Sequence, residues 1–169
     1  GLQIQSLAVA TSLHCSLPCT MPLPNKPGEL PFQLKLEPID SIPIKWEKGV
    51  TTSAEFTITN TTGHWQTYKV KCTDNSLFRV RPPMGLIEPN GRFTVRVYLH
   101  TFAQPDMTIN KHYFAIYHMR CSETDVKAGD AKKIWHPQSR PQGVVRLPVT
   151  FVVPAAATTV QIITSTALP

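Results

Sequence analysis

The residues of this chain best suited to bind a metal or attack a substrate are its six histidines and four cysteines, and their spacing serves neither task. Cys15, Cys19, Cys72 and Cys121 include no Cys-x-x-Cys pair, and no histidine pair follows them at zinc-finger spacing. The two sulfurs at 15 and 19 lack the further ligands that a tetrahedral zinc site needs. Cys72 falls on the apolar side of an alternating run and reads as a small reduced core residue. His14, His64, His100 and His136 are scattered. His112 and His118 share one run, where parity with Phe114 and Ile116 turns them inward near its ends, so hydrogen-bonded rim histidines are expected. There is no Gly-rich phosphate loop, no His-Glu-x-x-His and no Gly-x-Ser-x-Gly. The eleven acidic residues form no carboxylate pair in an apolar setting. No catalytic residue, no metal and no cofactor is expected.

Charge is the chemistry that remains. The net charge is +6 and the isoelectric point near 9.3, which favours an acidic partner. Between residues 65 and 120 eight basic residues face three acidic ones. Lys69 and Lys71 alternate with Tyr68, Val70 and Cys72, and Arg79 and Arg81 with Phe78 and Val80, so these four cations project outward from two consecutive strands. With Thr73, Lys111 and Tyr113 they make a candidate partner-binding face, against the alternative of a merely solvated one. Nucleic acid is not expected, because no recognised basic-aromatic module is present. Trp65 and Trp135 could anchor a partner, but core packing is the commoner role for tryptophan.

The elements that must position these groups are strands. Ala54, Phe56 and Ile58 alternate with polar neighbours, as do Phe93, Val95, Val97 and Leu99, then Phe114 and Ile116, then Val145, Leu147, Val149, Phe151 and Val153. About seven short period-two strands, separated by Asn, Gly and Pro turns with no 3.6-residue stripe, predict an all-β, seven-stranded antiparallel sandwich of immunoglobulin-like type. Asn60-Thr61-Thr62 has the form of a glycosylation acceptor, but reads here as a turn.

Three zones follow. Residues 1–32 form a proline-rich arm, with Pro18, Pro22, Pro24, Pro27 and Pro31 barring helix; residues 33–153 form the sandwich; residues 154–169 form an Ala- and Thr-rich tail. Leu2, Ile4, Leu7 and Val9 in the arm, and Val160, Ile162 and Ile163 in the tail, could add as strands to an exposed edge of a neighbour, making a homo-oligomer possible. Removing residues 1–31 is expected to leave the fold intact. No 18-residue apolar run is available to span a membrane, and the stretch from Leu7 to Leu13 lacks the basic flank of a signal peptide. The cysteine usage suits a reducing cytosol. The chain opens on Gly1, which leaves room for residues upstream.

Over residues 33 to 153 the order of short motifs resembles the major sperm protein family. The motifs are Leu36-Glu37-Pro38, Thr51-Thr52-Ser53-Ala54, Lys69-Val70-Lys71 and Arg81-Pro82-Pro83-Met84-Gly85-Leu86-Ile87-Glu88-Pro89. Leu99-His100-Thr101-Phe102-Ala103 is similar to the lead into the penultimate hairpin of the nematode sperm branch. Ile134-Trp135 and Val145-Arg146-Leu147-Pro148-Val149 are similar to that branch's closing strand pair. The long arm and the tail mark a divergent relative.

The resemblance implies an immunoglobulin-like sandwich with no nucleotide site, acting as a component or regulator of major sperm protein filaments. It places the protein in the cytoplasm, in the cytoskeleton of the sperm pseudopod. It also implies an alternative, an adaptor that binds an acidic linear peptide, as membrane-tethering relatives do through lysines on the Lys-Val-Lys strand and one on the penultimate strand. Lys69, Lys71 and Thr73 match that pattern. Tyr113 stands in place of the second strand's lysine, and Ala115 in place of a pocket methionine, so peptide binding weaker than theirs is expected.

Overall fold

The computed structural model describes residues 20–154. Its strands are β1 (Lys35–Glu37), β2 (Ile42–Lys45), β3 (Thr52–Thr59), β4 (Gln66–Cys72), β5 (Phe78–Arg81), β6 (Met84–Ile87), β7 (Arg92–Leu99), β8 (Tyr113–Arg120) and β9 (Gly143–Val152). Two short helices, α1 (Glu123–Ala128) and α2 (Ala131–Ile134), join β8 to β9. Four strands form one sheet in the order β1-β3-β7-β5, and five form the other in the order β2-β9-β8-β4-β6. The expected all-β sandwich is present.

The core is the inward parity of both sheets. Phe56, Ile58, Val95, Val97 and Leu99 from one sheet meet Tyr68, Phe114, Ile116 and Leu147 from the other, each at most 1% exposed. Each such large side chain contributes about 1.5–3 kcal/mol through burial. Phe78 and Phe114 pack edge to face at 5.2 Å. His112 and His118 also point inward, as parity predicted, and both are buried.

Three expectations need correction. There are nine strands among the described residues rather than seven, because prolines split two runs. Pro38 separates β1 from β2, and Pro82-Pro83 separates β5 from β6, and in each case the chain crosses to the other sheet. The pairing is not wholly antiparallel, since β2, having crossed, runs parallel to β9 with Ile42 opposite Val149. Ile134 and Trp135 do not form a strand. Ser122 caps α1 with its side chain on the Asp125 amide while the Asp125 carboxylate returns to the Ser122 amide, and Asp130 caps α2. Ser122-Glu123-Thr124-Asp125 is a capping box legible in the sequence.

The described part of the arm, residues 20–32, lies along β9. β2 pairs only with Val149–Val152, so the lower half of β9 has a free edge there. The arm occupies it: Leu23 N–H donates to Arg146 O at 2.8 Å, and Val144 N–H donates to Leu30 O at 3.0 Å. Between these contacts Lys26-Pro27-Gly28-Glu29 reverses direction, with Gly28 at φ 84° and Glu29 N–H on Lys26 O at 3.1 Å, as a type II turn requires. The turn aims the Glu29 carboxylate at the Arg146 guanidinium, with contacts of 2.5 and 2.8 Å. Below the turn, Gln33 N–H donates to His118 Nε2 at 3.2 Å. Gly143 sits where any Cβ would lie 2.4 Å from that nitrogen and 2.6 Å from Pro31 O. Against the expectation that residues up to 31 can be removed without cost, their loss would strip the buried Arg146 of Glu29 and leave the Val144 amide without the Leu30 carbonyl.

Candidate functional site

β4 gives the site its cations. Tyr68 and Val70 enter the core, which leaves Thr67, Lys69 and Lys71 on the outer face of the five-stranded sheet. In register, Lys69 stands opposite Tyr117 and Lys71 opposite Ala115 on β8. Trp135, at the end of α2, is laid on this face by its Nε1–H, which donates to Thr67 Oγ1 at 2.9 Å. The Lys69 ammonium lies 5.8 Å from the Trp135 ring centre, and that of Lys71 lies 5.7 Å from Tyr117, within cation–π range.

The loop after α2 forms a wall. Ser139 Oγ donates to Ile134 O at 2.8 Å and accepts from His136 N–H at 2.9 Å, holding His136, Pro137 and Pro141 beside the lysines. The result is a groove of about 380 Å³ lined by Lys69, Lys71, Tyr117, Trp135 and this loop. A second hollow of about 580 Å³ shares Tyr117, Ser139 and Pro141 and runs on to Glu29, Leu30 and Arg140. Burial, and secondarily the neighbouring charge of Lys71, lowers the proton affinity of Lys69. An anion bound between the two ammonium groups would relieve both effects.

At the groove's far side the Arg146–Glu29 pair closes the sheet against the arm. Arg146 keeps 5% of its side chain exposed and Glu29 24%. The bidentate hydrogen bonds from Arg146 hold the Glu29 carboxyl down at about 2, against partial burial. Arg146 is thus already neutralised and adds no free charge to the groove.

The structure does not gather the sequence-predicted cations on one face. Lys69, Lys71 and the half-buried Tyr113 belong to the five-stranded sheet. Thr73 lies just past β4, where its hydroxyl accepts from Tyr113 N–H at 3.4 Å and meets His112 Nδ1 at 3.3 Å. Lys111 is in the loop before β8, 3.9 Å from Asp106. Arg79 and Arg81 project from the four-stranded sheet, because the turn at Asp74 to Leu77 carries the chain across the sandwich. Leu2, Ile4, Leu7, Val9, Val160, Ile162 and Ile163, together with Cys15 and Cys19, lie outside the described residues.

Both tryptophans weighed as core residues are half-buried at the surface instead. Trp135 faces the groove because its indole bonds a strand threonine, and Trp65 borders a hollow near Cys121. The Asn60 amide is consumed internally: Nδ2 donates to the carbonyls of His64, Ile87 and Glu88, and Oδ1 accepts from Thr62. Among the described residues no cluster of three His, Cys, Asp or Glu side chains is placed to hold a metal, and no helix is long and apolar enough to cross a membrane.

Several proteins of Caenorhabditis elegans are similar in sequence. The uncharacterized protein ZC262.1 is 32% identical over 99 residues, covering 59% of this chain and 71% of that protein. The uncharacterized protein R05D3.5 is 32% identical over 99 residues, covering 59% of this chain and only about half (52%) of its own length. Among solved structures, SSP-19, an MSP-domain protein-like family member of the same nematode, aligns with a TM-score of 0.49 at 17% identity, over 66% of this chain and 94% of its own. WR4, another C. elegans MSP family member, aligns with a TM-score of 0.49 at 16% identity, over 70% of this chain and 97% of its own. The family model of the MSP (Major sperm protein) domain matches residues 33–140, from just before β1 to the loop that walls the groove, and the chain therefore belongs to the major sperm protein domain family.

Proposed function

We propose that this chain is a non-enzymatic interaction module that binds an acidic segment of a partner protein along the outer face of its five-stranded sheet. The observation that carries this reading is the groove in which Lys69 and Lys71 stand over Trp135 and Tyr117. Paired ammonium groups above aromatic rings suit a carboxylate beside an apolar or aromatic side chain. The groove differs from the pocket of the tethering relatives, since Tyr113 and Ala115 replace a lysine and a methionine and Ala115 is buried between Lys71 and Arg146. An acidic peptide with two phenylalanines should bind at least ~10-fold more weakly than to those relatives, about 1.4 kcal/mol for one lost contact.

A second reading is supported by the family itself and by its nematode relatives: the protein is a component or regulator of major sperm protein filaments in the cytoplasm of the sperm pseudopod. Arm residues Leu2 to Val9 and tail residues Val160 to Ile163 would then supply self-association. Co-sedimentation with major sperm protein filaments tests both readings together. Pelleting lost in Lys69→Glu/Lys71→Glu places the contact in the groove, whereas pelleting that survives this change but not removal of the tail favours assembly through chain ends. Failure to bind either filaments or acidic peptides would sink the interaction reading.

A further inference from the structure

The four-stranded sheet carries an unbalanced set of cations on its outer face. Outward parity places Lys35, Arg79, Arg81, Arg92 and Arg96 there, against Glu37 and Glu55 alone. Glu37 is shared by Lys35 and Arg92, each at 3.2 Å, and Glu55 is taken by Arg96. Arg79 and Arg81 are exposed and have no carboxylate within ion-pair distance among the described residues. The register worsens the imbalance, because Arg81 pairs directly opposite Arg96 on β7. Like charges at such positions destabilise a sheet. An anion lying across β5 and β7 would reverse that effect.

The surface beside these arginines is not flat. Arg81, Pro82, Pro83, Thr94, Arg96 and Tyr98 surround a hollow of about 480 Å³, with Glu55, already bound by Arg96, on its wall; a ring or aliphatic side chain can seat against Pro82, Pro83 and Tyr98 while a neighbouring carboxylate meets the unpaired Arg81 guanidinium. Planar guanidinium forks match carboxylates in a bidentate manner. A second copy of this chain is a poor occupant. It also carries +6, and its densest acidic run, Glu123, Asp125 and Asp130, is interleaved with Lys127, Lys132 and Lys133.

We infer that the outer face of the four-stranded sheet is a second docking surface, which takes an extended acidic segment of a different protein, with carboxylates on Arg79 and Arg81 and an apolar side chain in the Pro82–Tyr98 hollow. This goes beyond the groove at Lys69. The two surfaces lie on opposite sides of one sandwich, so the domain would hold two acidic segments at once and act as a bridge.

The test is nuclear magnetic resonance titration of the full chain with a short synthetic peptide of Glu, Ser and Phe, following backbone amides and arginine side chains. Phosphatidylserine vesicles and a single-stranded oligonucleotide serve as parallel probes. The expected result is saturable shifts at Arg79, Arg81 and Tyr98, separate from any at Lys69, Lys71 and Trp135. Arg79→Gln/Arg81→Gln should weaken the first set at least ~10-fold and leave the second unchanged, and Lys69→Gln/Lys71→Gln should do the reverse. Shifts at the Lys69 groove alone, or unaltered binding by the arginine variant, overturn the second surface and leave the groove standing. A response of this face to vesicles or oligonucleotide but not to peptide also overturns it.

Discussion

His118 should make the stability of this domain depend on pH between 4 and 6.5. The ring is fully buried. Its Nε2 accepts from the Gln33 N–H, with the two nitrogens 3.2 Å apart, and its Nδ1 lies 3.1 Å from Gln66 Oε1. A backbone N–H can only donate, so Nε2 must be the bare nitrogen and Nδ1 the protonated one. A second proton would confront the Gln33 donor in an apolar surround next to Phe32, whose ring is 5.0 Å away. Burial accordingly pushes the histidine down from 6.5 to about 4. The unfolded chain then takes up a proton as pH falls through 6.5, while the folded chain does so only near 4. Stability is therefore complete above pH 6.5 and falls between 6.5 and 4, at up to about 1.4 kcal/mol per pH unit and roughly 3 kcal/mol in all. That is a large share of the 5–15 kcal/mol typical of a domain. Urea unfolding followed by tryptophan fluorescence at several pH values from 7 to 4.5 would measure it. The comparison is His118→Gln, which keeps an acceptor near Gln33 and cannot titrate in this range. The wild-type curve should fall relative to the variant by roughly 1–3 kcal/mol over that span. Parallel curves, or a folded-state titration of His118 near 6.5, would refute the argument.

Other outcomes follow from the same contacts. Glu29→Gln should cost about 1–3 kcal/mol in thermal or urea unfolding, because it leaves the Arg146 guanidinium buried with one partner weakened; Glu29 retains some contact with water, which keeps the cost below that of a fully buried pair. Gly143→Ala forces a carbon against His118 and Pro31 O and should lower stability by about 1–3 kcal/mol, with loss of amide protection along the arm. Val95→Asp places a lone carboxylate between the sheets and should leave no folded protein by circular dichroism, at a cost of several kcal/mol; a folded, soluble variant would show that the assigned strand parity is wrong. Asn60→Ala should destabilise by about 2–4 kcal/mol, because the carbonyls of His64, Ile87 and Glu88 all lose their shared donor.

Much of the fold was legible because burial on a sheet writes itself as alternation. Phe56 and Ile58, Val95 to Leu99, and Phe114 and Ile116 all lie where period two puts them. Alternation says nothing about which sheet a strand joins, so Arg79 and Arg81 read as neighbours of Lys69 and Lys71 although a turn at Asp74 separates the two pairs. The groove was half legible for the same reason. Its lysines belong to a strand with clear parity, whereas Trp135, His136 and Pro141 reach it through short capped helices, of which α2 is seated by the buried Ile134 and by the indole hydrogen bond to Thr67. The Glu29–Arg146 pair spans 117 residues, a separation over which neither alternation nor proline content carries any pairing information.

The position of β9 governs when this protein can become a domain at all. Among the described residues it is the last strand to leave the ribosome, yet it sits between β2 and β8, and it also offers the edge on which residues 23 to 31 lie. Until it arrives, β2 and the arm have no partner, and the five-stranded sheet lacks an interior member. Sheet completion during synthesis must therefore wait for nearly the whole described chain, as expected for a topology dominated by distant pairings. A ribosome stalled before Gly143 would display an open hydrophobic face and an idle arm, making that nascent chain a strong client for chaperones.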